Sequence, residues 1–509
     1  MNLVRAAATV GSFTLVSRLT GFVRDMLIAA ILGAGALADA FFVSFKLANF
    51  LRRLFGEGAF NAGFVPLLAR TIEGGGEAEG RRFAEEAFAV MASVLLVVVL
   101  VAELFMPWVI RLLAPGFEPG GERYEATVEL TRITFPYILF ICLVALVSGV
   151  LNTIGRFAAA AFVQVLLNLV LVAALLLSSL HPETPAHALA WGVAVAGVVQ
   201  LAWVMFAAAR AGVPIALRRP RFTGRMKRLF ALVLPGAVGA GVAQINLLVD
   251  TWFASTLPTG APSYLFYADR LNQLPLGVIG VALGTALLPL LARQLRAGAH
   301  LQARYSFSRA LEFALLLTLP AATALVVSAE PIVRALFERG AFDAADTVAT
   351  AGALAAFSIG LPAYVLIKVL APAFFANEDT KTPVKVAALC LTANVLFILV
   401  LIGPLAHVGI ALATALSNWL NAIGLAFLLR RSGHLGVDER LAGRVPRLLL
   451  AAGVMAAVLW ALPQALPPMA PLLLLLVLVA AGGGAYALAV QLLGGGDIRE
   501  IRAMLQRRA

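Results

Sequence analysis

Runs of about twenty mostly apolar residues follow one another along nearly the whole chain, with short polar connections between them. A helix needs roughly 20 such residues to cross the hydrocarbon core of a bilayer. Only 13% of the 509 residues are charged, about half the share that is usual in soluble domains. The pattern predicts an all-α polytopic membrane protein with about fourteen transmembrane helices. These predicted spans cover residues 7–32, 37–68, 83–113, 126–152, 158–180, 187–210, 228–256, 262–292, 306–328, 346–375, 383–402, 406–429, 445–466 and 470–493.

The positive charges lie mainly in alternate connections. Residues 210–228 form the most basic of these, whereas GAGALA, HPETPA and PTGAPS contain neither Lys nor Arg. Because Lys and Arg stay on the cytoplasmic side of a membrane protein, we predict that both termini are cytoplasmic. The net charge of +12 follows from these loops, and no basic and aromatic module indicates binding to nucleic acid. The two cysteines lie apart in apolar spans, so neither a disulfide nor a metal site is indicated.

Two halves of the chain repeat one another. The string PLLAR ends at Arg70 and again at Arg293, and matches in the same order continue through six spans. Six spans per copy give both copies the same orientation, which is a parallel repeat, and transporters of that kind bind substrate between their halves. We therefore predict an N-terminal lobe at residues 1–222 (helices 1–6), a C-terminal lobe at 223–440 (helices 7–12), and two added helices with a basic cytoplasmic tail at 441–509.

The first, second and eighth of the predicted spans contain charged residues well inside their apolar runs. A charge at the bilayer centre costs about 2.5–3.5 kcal/mol, so these side chains must face protein or water rather than lipid. At about 100° per residue, Asp39 and Lys46 share a helical face with Arg53 and Glu57. Gly21, in the first span, offers a place where that helix could bend. The charged residues are Arg18, Arg24 and Asp25 in the first span, Asp39, Lys46, Arg52, Arg53 and Glu57 in the second, and Asp269 and Arg270 in the eighth; the polar Asn49 and Gln273 lie beside them.

Internal salt bridges between helices account for part of this set. Asp25 or Asp39 can neutralise Arg18 or Arg24, and Glu57 can pair with Arg53 one turn away. The six cations nevertheless exceed the four acids by two. The planar guanidinium group binds phosphate through paired hydrogen bonds, so a central pocket rich in arginine favours an anionic head group, with phosphate the first choice.

Several stretches resemble one transporter family. SRLTGFVRD, ADAFFVSFKLANFLRRLFGEGAFNAGFVPLLAR, YADRLNQLPLGVIGVALGTALLP and IKVLAPAFFANEDTKTPVK together resemble the MurJ (MviN) lipid II flippases. That family belongs to the multidrug/oligosaccharidyl-lipid/polysaccharide exporter superfamily. The resemblance implies fourteen helices in two six-helix lobes, with a C-terminal pair that lines a hydrophobic groove.

The resemblance also implies roles for individual residues. Arg18, Arg24, Arg52 and Arg270 would hold the diphosphate of the lipid-linked precursor. Other polar residues would line the cavity. Many family members have an acid where this chain has Gln273, and an amide cannot carry a proton. The implied cavity network is Asp25, Asp39, Lys46, Asn49, Arg53, Glu57, Asp269 and Gln273.

Some members of the family bind sodium in the C-terminal lobe. The matching positions in this chain are Asp250, Asn394 and Thr414, but Ile398 stands where a second carboxylate is expected. The alternative interpretation is that Asp250 binds no cation and forms hydrogen bonds with neighbouring residues. We expect no cofactor and no firm metal site, and the resemblance leaves open a coupling monovalent cation, either sodium or a proton.

By resemblance, the chain flips lipid II from the inner to the outer leaflet of the bacterial cytoplasmic (inner) membrane by alternating access. A related exporter is the alternative: a flippase for O-antigen or polysaccharide lipids, or a drug/cation antiporter. An enzyme is not expected, because no carboxylate cluster, histidine pair or phosphate loop is present. The partners expected are lipid II and membrane lipids, with cell-wall synthesis proteins left open, and the protein is expected to be a monomer.

Overall fold

The fold follows from a computed structural model that describes residues 3–53, 59–178, 185–433 and 438–496. Within these residues the chain is helical, apart from turns, irregular connections such as residues 213–223, and a single isolated bridge between Arg339 and Phe342. The prediction of an all-α protein is confirmed. The helices in the described part of the chain are α1 (Leu3–Leu32), α2 (Ala36–Arg52), α3 (Ala59–Leu104), α4 (Met106–Leu113), α5 (Glu122–Thr134), α6 (Tyr137–Thr153), α7 (Phe157–Ser178), α8 (Pro185–Arg210), α9 (Gly224–Ser255), α10 (Ala261–Arg296), α11 (His300–Val327), α12 (Ala329–Phe337), α13 (Ala344–Ile359), α14 (Leu361–Ala376), α15 (Lys381–Arg431), α16 (Glu439–Ala465) and α17 (Pro471–Leu492).

Nine helical stretches in the described ranges are long and apolar enough to cross a membrane. The chain is therefore a multi-pass membrane protein, as the sequence predicts. The number fourteen stays a prediction, because charged residues in α1, α2 and α10 and breaks in other helices prevent a simple count.

Two of the predicted spans differ from single regular helices in the structure. The predicted span 346–375 is divided into α13 and α14 at Gly360, where an added Cβ would lie 2.7 Å from the Cα of Ala415. The predicted spans 383–402 and 406–429 correspond to two helices within α15, separated by a break at Ala406, whose φ is 48° and ψ −126°. By contrast, α1 runs as one continuous helix through Gly21 and is not unwound there.

The chain divides into two compact units. The first comprises Met1–Ser263 together with Arg339–Phe342. In it α1 packs on α7, α7 on α8, α2 on α5, and α3 on both α6 and α9. Fully buried aromatic side chains, among them Phe41, Phe64 and Tyr137, fill its interior. Although α9 follows the predicted lobe boundary at residue 222, it packs within this unit, and the predicted lobe limits stay predictions.

The second unit comprises Tyr264–Glu338 and Asp343–Ala509. Apolar side chains of α10, α11, α14 and α15, such as Phe307, Val369 and Leu425, form one buried cluster. A second cluster joins α11 to the added helices α16 and α17 through Leu316, Leu448 and others. The phenol of Tyr486 on α17 donates a hydrogen bond to the carbonyl of Leu316 at 3.0 Å, which fixes the helix pair to α11.

Candidate substrate-binding arginines

Arg24 is held inside the first unit by two polar partners. Its Nε and Nη2 donate to Oδ1 of Asp25 at 2.9 and 2.6 Å, and its Nη1 donates to Oδ1 of Asn168 at 2.8 Å. Arg24 is 5% exposed and Asp25 is 3% exposed. The guanidinium carbon also lies 5.7 Å from the ring centroid of Phe45, within the range of a cation–π contact. The predicted neutralisation of Arg24 by Asp25 therefore exists in this structure.

Asn168 ties this arginine to the backbone of α1. Its Nδ2 donates to the carbonyl of Ser17 at 2.8 Å and lies 3.3 Å from Oγ1 of Thr20. An added Cβ on Gly21 would lie 3.3 Å from the same nitrogen, which is closer than an ordinary contact. Glycine at position 21 thus lets α7 approach α1 closely enough for the side-chain amide to reach Arg24.

The two partners of Arg24 use only part of its hydrogen-bonding capacity. A guanidinium group has five N–H donors, and the bonds to Asp25 and Asn168 occupy three of them. The other two N–H groups form no hydrogen bond with the residues that the structure describes, and the single charge of Asp25 balances that of Arg24. An anionic ligand that displaced the Asp25 carboxylate would gain a bidentate contact of the kind that guanidinium forms with phosphate.

The other predicted residues of α1 and α2 lie at different depths. Arg18 is half-buried on α1 and makes no ion pair among the residues that the structure describes. Arg52 is half-buried at the end of α2, and its Nε donates to Oδ1 of Asn49 at 3.2 Å. Lys46 is half-buried as well, whereas Arg53 is exposed and donates to Gln244 at 3.3 Å. Glu57 lies outside the described residues, so its predicted pairing with Arg53 stays a prediction.

Asp39 occupies a separate and fully buried position. Its Oδ2 accepts from the backbone N–H of Gly260 at 2.8 Å, and its Oδ1 accepts from the N–H of Ser263 at 3.1 Å and from the hydroxyl of Ser263 at 2.6 Å. Arg123 lies 3.8 Å away. The cation that neutralises Asp39 here is therefore Arg123. The carboxylate binds the N–H groups at the start of α10, where negative charge is favourable.

The predicted residues of α10 lie one turn apart in the second unit. Asp269, Arg270 and Gln273 are all half-buried. The side-chain amide of Gln273 donates to Oδ2 of Asp269. The guanidinium carbon of Arg270 lies 4.6 Å from the ring centroid of Phe266, so the aromatic ring supports one face of the group. Gln273 thus acts as a donor to an acid on its own helix, a role that a carboxylate at that position would not fill.

The predicted cation-binding positions are divided between the units. Asp250 is half-buried on α9, while the fully buried Asn394 and the half-buried Thr414 lie on α15. Within the described ranges, no group of three His, Cys, Asp or Glu side chains is arranged to hold a metal. A cation site at these positions stays a prediction.

Sequence reasoning missed Asn168 and Arg123, the partners of Arg24 and Asp39. A polar amide inside the apolar run VLLNLVL was a usable signal for Asn168, because such a residue needs a hydrogen-bonding partner. Arg123 gave a weaker signal, since it lies in a connection that otherwise lacks positive charge.

The family sequence model described as "Lipid II flippase MurJ" matches residues 28–480. The chain belongs to the MurJ family. Probable MurJ lipid II flippases of Rhizobium tropici and Rhizobium meliloti (strain 1021) are 45% identical over 520 residues and 48% identical over 464 residues. The first alignment covers 100% of this chain and 97% of the relative. The second covers 90% of this chain and 86% of the relative. The resemblance inferred from the motifs is confirmed.

Solved structures show the same fold. A structure titled "Lipid II flippase MurJ, inward closed conformation" has a TM-score of 0.80 at 24% identity, covering 95% of this chain and 98% of that one. An inward-facing transporter of the multidrug resistance MATE family has a TM-score of 0.70 at 15% identity, covering 82% and 95%. The fold of this chain is therefore shared with that transporter, although the two sequences are only 15% identical.

Proposed function

We propose that this protein flips lipid II from the inner to the outer leaflet of the cytoplasmic membrane. The substrate has a large polar head group, a diphosphate and a long hydrocarbon chain. Support comes from relatives of this name that align with the chain over its whole length, and from arginines placed inside apolar helices. In this proposal the hydrocarbon chain stays in lipid or beside α16 and α17, and only the head group crosses.

The bonding of Arg24 carries the proposal. A buried guanidinium with one carboxylate and one amide as partners, and two N–H groups to spare, is suited to exchange Asp25 for a diphosphate oxygen. Arg270 offers a second guanidinium, supported by Phe266. We propose that Arg18, Arg24, Arg52 and Arg270 bind the same diphosphate during alternating access. The acids of the predicted cavity network offset part of the positive charge of these arginines.

The membrane potential is a sufficient driving force for such a substrate. Each charge that crosses the full field gains about 2.3 kcal/mol per 100 mV, and an inside-negative potential drives anions outward. A doubly charged diphosphate would gain roughly twice that amount. Since Gln273 cannot titrate, this proposal needs no proton at that position, and a monovalent cation at Asp250, Asn394 and Thr414 is an additional option.

The related exporters remain the alternative class. Drug antiporters that bind organic cations need acids in the binding site, and the surplus of arginine in α1, α2 and α10 disfavours them. A flippase for O-antigen or polysaccharide lipids would bind the same diphosphate. Lipid II and these lipids differ in the rest of the head group, so a transport assay must compare substrates with different head groups. We propose a transporter that makes and breaks no covalent bond, and that functions as a monomer.

Reconstitution into liposomes with three separate substrates tests this function. We expect the purified protein to move lipid II across the bilayer, but to move neither an O-antigen lipid nor a fluorescent organic cation. Replacement of a depleted lipid II flippase in living cells is the matching genetic measurement. Transport of the cation with no movement of lipid II would overturn the proposal, and reporter fusions at both ends would test the predicted cytoplasmic termini.

A further inference from the structure

The connection between α8 and α9 combines high positive charge with exposed apolar side chains. Residues 213–230, which we name the interlobe segment, contain no acid and six cations: Arg218, Arg219, Arg221, Arg225, Lys227 and Arg228. Leu217 is 74% exposed and Phe222 is 63% exposed. The rings of Phe222 and Phe230 stack with centroids 6.1 Å apart. The role of basic loops in setting helix orientation accounts for the positive charge, but it does not account for the exposed Leu and Phe side chains.

Three acids of α3 fix the backbone of this segment. Glu85, which is buried, accepts from the N–H of Ala216 at 3.3 Å and from Nε of Arg218. Glu86 accepts from the hydroxyl of Thr223 at 3.4 Å, and Glu79 accepts from Arg225. The segment is therefore tied to α3 along its length and is held in one orientation.

The tie to α3 uses only two of the six cations. Arg219, Arg221, Lys227 and Arg228 are exposed and form no ion pair within the part of the chain that the structure describes. They accompany Leu217 and Phe222 on the exposed surface, whereas Ile215 and Met226 are buried. On the remaining surface, cations lie beside apolar side chains in the connection before α9 and in the first turns of α9, whose predicted span begins at residue 228.

We propose that the interlobe segment binds the anionic head groups of the cytoplasmic leaflet, with Leu217 and Phe222 inserted at the interface. The charge is complementary to that surface, and the loop orientation predicted from the sequence places the segment on that side. Aromatic and apolar side chains next to basic residues are typical of interfacial anchors. An acidic soluble protein would also match the charge, but the start of α9 five residues after Arg219 holds the segment at the level of the bilayer surface.

A fluorescent label at position 220 tests this contact in the full-length protein. Pro220 is exposed between two of the cations, and the native Cys142 and Cys390 are both buried and can be replaced by Ala. The variant Pro220→Cys carries an environment-sensitive dye in nanodiscs of phosphatidylcholine, with or without phosphatidylglycerol. We expect a shift to shorter emission wavelength, and stronger quenching by lipid-attached quenchers, only when phosphatidylglycerol is present.

Two further variants separate the contributions of charge and apolar contact. Changing Arg219, Arg221, Lys227 and Arg228 to Gln is expected to abolish the dependence on phosphatidylglycerol, and changing Leu217 and Phe222 to Ser is expected to reduce the quenching. As a matched control, Arg293, Arg296, Arg430 and Arg431 changed to Gln remove the same charge elsewhere and should leave the shift intact. The proposal would be overturned if the labelled protein had the same emission with and without phosphatidylglycerol. It would also be overturned if the control variant lost the phosphatidylglycerol-dependent shift to the same extent as the test variant.

Discussion

Nη1 of Arg24 and Oδ1 of Asn168 lie 2.8 Å apart, although 144 residues separate them in the chain. This bond joins α1 to α7 at a buried position, and the same amide holds the carbonyl of Ser17. The orientation of the guanidinium group is therefore set by a neutral side chain as well as by Asp25. A role in substrate binding for Arg24 implies that Asn168 positions it.

Replacing Asn168 by Leu should slow flipping at least tenfold for the same amount of inserted protein. A hydrogen bond to a charged group contributes about 1.5–3 kcal/mol, and about 1.4 kcal/mol corresponds to a factor of ten. Thr20→Val is the matched control, because it removes only the contact at 3.3 Å from the amide. Flipping in liposomes and thermal stability in detergent are measured together. Full activity of Asn168→Leu would show that Arg24 does not need this partner.

Asp39→Asn should destabilise the first unit more than Ser263→Ala does. The amide presents an NH₂ group to the N–H of Gly260 or to Arg123, so a donor faces a donor where the carboxylate accepted. We expect a loss of about 1.5–3 kcal/mol for Asp39→Asn, against about 0.5–1.5 kcal/mol for the loss of the Ser263 hydroxyl. Thermal unfolding in detergent measures both. Equal melting temperatures for the two variants would contradict the assigned contacts.

Glu312→Gln should weaken the attachment of α16 to α11. The carboxylate of Glu312, whose side chain is 10% exposed, pairs with Arg309 and Arg444 and lies 3.6 Å from Arg440. Removing one partner of a buried ion pair costs up to about 3–5 kcal/mol. Glu330→Gln is the control, because its pair with Arg334 is 48% exposed on the acid side and such pairs contribute only about 0–1 kcal/mol. A melting temperature that falls equally in both variants would refute a special role for Glu312.

Gly340→Ala should be far more damaging than Gly212→Ala. Both glycines have positive φ, +60° and +83°, which costs a residue with a side chain about 1–2 kcal/mol. At Gly340 the added Cβ would also lie 2.1 Å from the carbonyl oxygen of Ala30, which accepts the N–H of Ala341 at 2.8 Å. At Gly212 nothing lies within 4 Å. Expression level and melting temperature compare the two, and equal losses would show that the close approach to Ala30 is not real.

The helices could be predicted from the sequence because the bilayer imposes their length. The predicted span 228–256 corresponds to α9 at Gly224–Ser255, and 187–210 to α8 at Pro185–Arg210. The interruption at Gly360 lies two residues before Pro362, which lacks the backbone N–H that a continuous helix needs, so the sequence carried a signal that the predicted span 346–375 did not use. The close approach of Ala415, 55 residues further along the chain, could not be predicted. The close approach of Asn168 to Gly21 could likewise not be predicted, because it brings together α1 and α7.

The candidate site could be predicted only in part. The cost of burying charge identified Arg24 and Asp25 as residues that need partners, and the structure pairs them with each other. Helical periodicity placed Asp39 and Arg53 on one face, yet Asp39 is fully buried and Arg53 is exposed. Periodicity gives direction around the helix axis but not depth, and depth is set here by contacts with Gly260, Ser263 and Gln244.

The measurement that tests the central claim most directly is lipid II flipping by Arg24→Ala and Arg270→Ala in liposomes, normalised to inserted protein. Arg293→Ala is the control, because that arginine is exposed at the end of α10 and, among the residues that the structure describes, bonds only to the carbonyl of Pro289 on its own helix. We expect both test variants to lose flipping while the control keeps it, because the proposed function assigns diphosphate binding to the guanidinium groups of Arg24 and Arg270. Unchanged flipping by both Arg24→Ala and Arg270→Ala would contradict this account.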